Sequence, residues 1–92
     1  MIRSFKDADT KKLYETGSNK RWTNIQAVAL RKLDQIEAAM NLENLRVPPG
    51  NRLEPLKGDR VGQHSIRVND QYRICFIWKI DGAYEVEIAD YH

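Results

Sequence analysis

The chain has one cysteine, Cys75, so it can close no internal disulfide, and its two histidines, His64 and His92, fall short of a spaced set of zinc ligands. Packing must hold the fold. No apolar run approaches the roughly 20 residues that cross a bilayer, because charged residues make up 30% of the sequence and interrupt every candidate stretch. Residues 1–9 carry two acids and no apolar segment, so neither a secretory signal nor a transit peptide is expected, and the cytoplasm is the expected compartment. Also missing are a phosphate-cradling P-loop, a G-x-G-x-x-G turn, an H-E-x-x-H pair, and a serine or cysteine nucleophile with histidine and acid in a known arrangement. No metal and no cofactor is expected.

What is present suits one small globular domain spanning residues 1–92. With 41% hydrophobic residues the chain is too apolar for disorder, and at 92 residues it is too short for a second core. A domain of this size buries only about 60–65% of its unfolded surface, so a bound partner would add useful stability. The net charge of +2 is unevenly spread. Residues 1–79 hold all 15 basic residues against nine acids, or +6, whereas Asp81, Glu85, Glu87 and Asp90 give residues 80–92 a charge of −4. A basic body with pI ≈ 8.8 is compatible with a phosphate-rich partner, although charge alone identifies none.

Residues 1–5 alternate Ile2 and Ser4 against Arg3 and Phe5, the pattern of a short strand. From Asp7, the residues Ala8, Leu13 and Tyr14 recur between charges as a helix closed by Gly17. A second helix is expected to start with Thr23 as N-cap, Gln26 reaching back and Trp22 stapled onto the first turn. Its stripe of Ile25, Val28, Ala29, Lys32, Leu33, Ile36 and Met40 has a period near 3.6 and runs to about Asn41. Residues 42–45 fit a short turn, and Val47-Pro48-Pro49-Gly50-Asn51 breaks any helix.

Period two then takes over. His64, Ile66 and Val68 are expected on one face and Ser65 and Arg67 on the other, with a turn at Asn69-Asp70. Tyr72, Ile74, Phe76, Trp78 and Ile80 are expected inward, opposite Arg73, Cys75, Ile77 and Lys79. After an Asp81-Gly82 turn, Tyr84, Val86 and Ile88 are placed inward and Glu85 and Glu87 outward. This order predicts an α+β fold in which an N-terminal strand and two helices pack on one face of a mainly antiparallel sheet. The other face carries Arg67, Arg73, Cys75 and Lys79.

Toward the ends of the sheet gather Glu54, Lys57, Arg60, Arg67, Arg73, Asp90, Tyr91 and His92. By periodicity alone, solvated surface is the commoner explanation for each. The Asp90-Tyr91-His92 ending is more informative, because it follows a strand without a Gly or Ser spacer and so ties an imidazole and a phenol to the central strands. His64, on the apolar face, reads as a packed, hydrogen-bonded histidine. Cys75 reads as a small strand residue, and Phe76 and Trp78 read as core. Trp22 stands between a staple and a partner contact.

Three segments in order, Gly50-Asn51-Arg52-Leu53-Glu54-Pro55-Leu56-Lys57-Gly58-Asp59-Arg60, then His64-Ser65-Ile66-Arg67-Val68-Asn69-Asp70-Gln71-Tyr72-Arg73-Ile74-Cys75-Phe76, then Asp90-Tyr91-His92, resemble the HigB-type plasmid maintenance killer toxins of the RelE superfamily. The likeness covers the whole chain. It implies a RelE-like fold and a bacterial type II toxin: a ribosome-dependent mRNA endoribonuclease that cuts in the A site and inhibits translation and growth. The partners it implies are a helix-turn-helix antitoxin of HigA type, the 70S ribosome and mRNA, with operator DNA reached only through the antitoxin and no membrane. Carried over onto matching positions are Lys57, Arg73, Asp90, Tyr91 and His92. Glu54 stands where some relatives have histidine, which leaves the general base open between Glu54 and His92. The related YoeB-type toxins look similar in pairing a glutamate with arginine, histidine and tyrosine.

Metal-free cleavage of this kind deprotonates a ribose 2′-OH, which attacks the adjacent phosphorus while an acid protonates the leaving 5′-oxygen. The resemblance assigns Arg73 and Lys57 to the charge of the phosphorane, His92 to acid or base, and Asp90 to orienting the imidazole. Tyr91 is assigned to stacking on a base or bonding the 2′-OH. Arg60, Arg67 and Lys79 are the expected RNA-binding cations. Two other uses of the same scaffold stay open: a non-catalytic toxin that binds its antitoxin and blocks translation, and a ParE-like gyrase poison, against which the Asp-Tyr-His ending argues.

Overall fold

The computed structural model describes residues 1–91 as α1 (Ala8–Thr16), α2 (Gln26–Ala38), β1 (Glu54–Pro55), β2 (His64–Arg67), β3 (Tyr72–Lys79) and β4 (Gly82–Asp90). The strands form an antiparallel meander in the order β1-β2-β3-β4. Short 3-10 turns at Lys20–Trp22, Leu42–Arg46, Pro49–Asn51 and Gly58–Arg60 fill the connections. Both helices lie on one face of the sheet, where Leu13, Ala29, Leu33 and Ile36 meet Ile66, Ile74, Phe76 and Val86 in one buried core. The α+β arrangement is the one the periodicities predict. Among the described residues no helix is long and apolar enough to cross a membrane.

Local side chains mark both ends of α1. Asp7, in extended backbone, accepts from the Thr10 N–H at 2.6 Å, and Gly17 takes φ 84° while donating to the Leu13 carbonyl. The start of α2 differs from expectation. The Thr23 hydroxyl donates to the Lys20 carbonyl and closes the preceding 3-10 turn, while Gln26 accepts from the Asn19 N–H, so no capping box forms. Trp22 is 1% exposed, which makes it core, with the Arg21 guanidinium 4.8 Å over its ring. α2 ends at Ala38 and leaves Met40 exposed, because Asn44 Oδ1 accepts from the Met40 and Asn41 N–H groups and captures the chain in the next turn.

The N-terminal segment runs parallel to β4 but makes only two isolated bridges, Ile2 to Ala83 and Phe5 to Val86, in place of a continuous strand. The cause lies in β4. Between the pairs Cys75–Glu87 and Ile77–Tyr84 the register gains one residue on β4, and Glu85 there sits at φ 53°, in the left-handed region. The Glu85 N–H donates instead to the Ser4 hydroxyl at 2.9 Å. This bulge overturns the expected alternation. Ala83 enters the core in place of Tyr84, which pairs with Ile77 on the outer face and has Lys79 Nζ 4.8 Å over its ring. Ile2 and Phe5, expected on opposite faces, both pack on the core. Ile80 is fully exposed because the turn consists of Ile80 and Asp81, with Lys79 paired to Gly82. Gly82, at φ 140°, must be glycine: a Cβ there would collide with the Met1 carbonyl oxygen.

Candidate functional site

The sheet face turned away from the helices is built in cross-strand rows. Glu54, Ser65, Cys75 and Glu87 form one row from β1 to β4, and Arg67, Arg73 and Ala89 form the next. Alternation puts them on this face because Ile66, Ile74, Phe76 and Ile88 take the core side. Arg73 is tightly held. Its Nε donates to Ser65 Oγ at 2.7 Å, and its Nη2 donates to the Arg52 carbonyl at 2.8 Å and lies 3.4 Å from Glu54 Oε1. Its side chain is only 12% exposed, and these three acceptors compensate the desolvated charge. Arg67 stands directly opposite Arg73, where like charges repel; each has its own carboxylate, Asp70 for Arg67 and Glu54 for Arg73.

The Arg52 carbonyl reaches Arg73 because Arg52 adopts φ 47° at the end of the Pro49–Asn51 turn. Asn51 anchors that turn. Fully buried, it donates to Gln35 Oε1 at 2.9 Å and to the Leu45 carbonyl at 3.1 Å, and it accepts from Lys32 Nζ. Burial, followed by the nearby Arg31 and Arg67, lowers the Lys32 pKa. One face of α2 therefore supports the loop that aims Arg73.

Toward β4, Arg60 Nη1 lies 3.1 Å from Glu87 Oε2 and 3.2 Å from Gln63 Oε1, and Lys6 Nζ lies 3.1 Å from the same Glu87 oxygen. The Glu87 hydrogen bond raises the Arg60 pKa against the burial that opposes it. Cys75 is buried with Leu56 and Ala89, and burial pushes its thiol pKa up, so it packs and does not act as a nucleophile.

The Tyr91 N–H donates to the Gln71 carbonyl at 2.6 Å, and Gln71 Nε2 donates to Asp90 Oδ2 at 3.1 Å. Gln71 thus ties the chain end to the β2–β3 turn. Asp90, in register with Tyr72, falls on the face opposite Arg73 and Ala89, and the Tyr91 side chain that follows it is exposed. His92 lies outside the described residues. Lys57 is exposed at the head of the Gly58–Arg60 turn and makes no ion pair among the described residues. Lys79 is not brought to this group: it is six residues along β3 from Arg73, about 20 Å away. His64 departs from expectation, since its buried Nδ1 has no hydrogen-bond partner among the described residues.

The structure therefore ties Tyr91 to the sheet by its backbone N–H and gathers Glu54, Arg60, Arg67 and Arg73 around one face. Sequence reasoning missed Ser65, the Arg52 carbonyl, Gln71, Lys6 and Glu87 as parts of it. Ser65 was findable, since the alternation of β2 already sets it beside Arg67; nothing local marks Lys6 or the Arg52 carbonyl. Among the described residues no three His, Cys, Asp or Glu side chains group so as to hold a metal ion.

The family described as RelE-like toxin of type II toxin-antitoxin system HigB matches residues 3–92. Toxin HigB-1 of Vibrio cholerae serotype O1 is 43% identical over 85 residues, which span 90% of this chain and 88% of that protein. Endoribonuclease HigB of Proteus vulgaris is 33% identical over 98 aligned positions, spanning 100% of both chains. Among solved structures, the YoeB-YefM complex from Staphylococcus aureus superposes with a TM-score of 0.62 at 14% identity, over 100% of this chain and 98% of the other. The YoeB/ParE toxin from Agrobacterium tumefaciens gives 0.56 at 21% identity, over 98% and 99%. At those identities the structures support the fold alone. The family match over nearly the whole length, joined to relatives above 30% identity, decides the affiliation: the chain belongs to the HigB family of RelE-like toxins from type II toxin-antitoxin systems.

Proposed function

We propose that the chain is a ribosome-dependent mRNA endoribonuclease that inhibits translation, with Arg73 as the cation at the scissile phosphate. The observation that carries this is the way Arg73 is held. Ser65, the Arg52 carbonyl and Glu54 fix two of its nitrogens, while Nη1 makes no hydrogen bond among the described residues. A guanidinium restrained in this way presents its remaining donors in one direction, which suits the growing charge of a phosphorane.

In the reaction the ribose 2′-OH gives its proton to Glu54 or His92, its oxygen bonds to phosphorus, and the bond from phosphorus to the 5′-oxygen breaks. The leaving oxygen takes a proton from an acid, leaving a 2′,3′-cyclic phosphate and a 5′-OH. Lys57 adds charge stabilisation, Tyr91 stacks on a base, Asp90 supports the chain end, and Arg60 and Arg67 bind phosphates. RNA cleavage is supported by the name of the Proteus vulgaris relative, Endoribonuclease HigB. The described residues supply few acid-base groups, which favours a reaction that relies on the ribosome to shape the message. An antitoxin partner is supported by the family itself and by the YoeB-YefM complex among the structural neighbours, and we assign it to the helix-turn-helix HigA type.

Primer extension on mRNA from cells briefly expressing the protein tests this reading. Discrete new 5′ ends inside translated frames, lost in Arg73→Ala, are expected. Growth arrest without new ends would favour the non-catalytic toxin.

A further inference from the structure

We infer that Glu87 is a positioning residue that holds Lys6 and Arg60 together as a second phosphate-binding site beside Arg73, taking a further phosphodiester of the bound RNA. The inference rests on the RNA-cleaving reading above. Lys6 and Arg60 both lie 3.1 Å from one oxygen, Glu87 Oε2, so their nitrogens are within twice that distance of each other. Without a carboxylate between them, two cations so close repel and splay apart. With it, the group keeps one net positive charge and unused donors: Lys6 Nζ has Glu87 alone, and Arg60 Nε and Nη2 make no hydrogen bond among the described residues.

Glu87 itself is sheltered, its side chain 13% exposed, whereas the Arg60 and Lys6 side chains are 30% and 50% exposed. The carboxylate thus sits under the cations, and the cations face outward. Their place on the sheet fits a single strand crossing it. Glu87 shares a cross-strand row with Ser65, the residue that holds Arg73, and is two strand spacings away, roughly 10 Å. A backbone that sets one phosphate on Arg73 passes over Arg60 and Lys6 with another. Packing alone does not require an acid here, since the neighbouring outward positions on this row and the next are Cys75 and Ala89.

The test is binding of the full chain to 70S ribosomes across a salt series, with and without an mRNA whose A-site riboses are 2′-O-methylated to block cleavage. Variants are Glu87→Gln, Lys6→Ala and the two combined, with melting curves to match their folding. A passive Glu87 predicts tighter binding by Glu87→Gln, because the variant loses a negative charge from a basic face. Positioning predicts the opposite sign: affinity at least several-fold weaker, and a slope of log K against log salt shallower by about 0.7–0.9 per lost phosphate contact. Lys6→Ala should show the same loss, and the double variant little more. Lys6→Ala alters only a half-exposed side chain, so it decides the matter if Glu87→Gln fails to fold. A loss confined to message-bearing ribosomes assigns the phosphate to mRNA, and a loss on empty ribosomes assigns it to ribosomal RNA; both support the site. Unchanged slopes in both single variants, or tighter binding by Glu87→Gln, overturn it. The reading it rests on fails differently: the wild type does not associate with ribosomes, or Arg73→Ala still cuts unblocked message at the wild-type rate.

Discussion

Arg73 and Ser65 lie diagonally across neighbouring strands, and the Arg73 Nε–H donates to the fully buried Ser65 hydroxyl at 2.7 Å. A serine at this place fixes the plane of a guanidinium that would otherwise swing. Ser65→Ala leaves the Nε–H unsatisfied, and urea melts should show a loss of about 1–3 kcal/mol. Cleavage on programmed ribosomes should fall roughly tenfold in Ser65→Ala, and about 10²-fold or more in Arg73→Lys, which cannot reproduce the fork.

Asn51 supports the same arginine from behind. Its amide joins Gln35, on α2, to the Leu45 carbonyl, and Arg52 follows directly with the carbonyl that receives Arg73 Nη2. Asn51→Ala should cost about 2–3 kcal/mol in thermal or urea unfolding, because several buried polar groups lose their partner at once. Cleavage should drop even at temperatures where the variant is folded, since the Arg52 carbonyl moves. Full activity in a folded Asn51→Ala would disconnect the loop from the site.

Cys75 is predicted to be inert. It is fully buried, and that burial raises its thiol pKa, which Arg60 only partly offsets. A native sample at neutral pH should react with a thiol reagent orders of magnitude more slowly than the same sample in denaturant. Because the folded state favours the protonated thiol, this contribution to stability is complete below the ordinary thiol value and is lost as pH rises above it. Rapid labelling of the native protein would contradict the buried placement.

Glu85 holds a left-handed conformation that costs a side-chain-bearing residue about 1–2 kcal/mol. Glu85→Gly should be neutral or slightly stabilising, whereas Glu85→Val should lose about 1–2 kcal/mol, since a β-branched residue tolerates that φ poorly. Equal stability of the two variants in chemical unfolding would argue against the bulge.

These residues also mark how far the sequence could be read. α1 was legible because Asp7 and Gly17 announce its ends within a few residues, and the basic face was legible because β2 and β3 alternate without interruption through Ser65, Arg67, Arg73 and Cys75. Thr23 misled because its hydroxyl can either accept from a helix N–H or donate to a nearby carbonyl, and the donation that closes the 3-10 turn wins. The β4 bulge was hidden, since Glu85 is not the glycine that such a position favours, and its partner Ser4 is 81 positions away. Contacts between Lys6 and Glu87, or between Arg52 and Arg73, depend on the whole fold. Asp90, Tyr91 and His92 stood out because they follow a strand without a Gly or Ser spacer. Their roles, and the choice of Lys57, came from the family resemblance, since periodicity gives no reason to prefer them to solvated surface.

The most direct test of the account is single-turnover cleavage of a ribosome-bound message by purified wild type and Arg73→Ala, with naked message alongside and folding matched by melting curves. The account predicts cleavage of the bound message by the wild type, little or none of the naked message, and a rate about 10²-fold or more lower for Arg73→Ala. A folded Arg73→Ala that cuts at the wild-type rate, or a wild type that arrests translation while leaving the message intact, would contradict it.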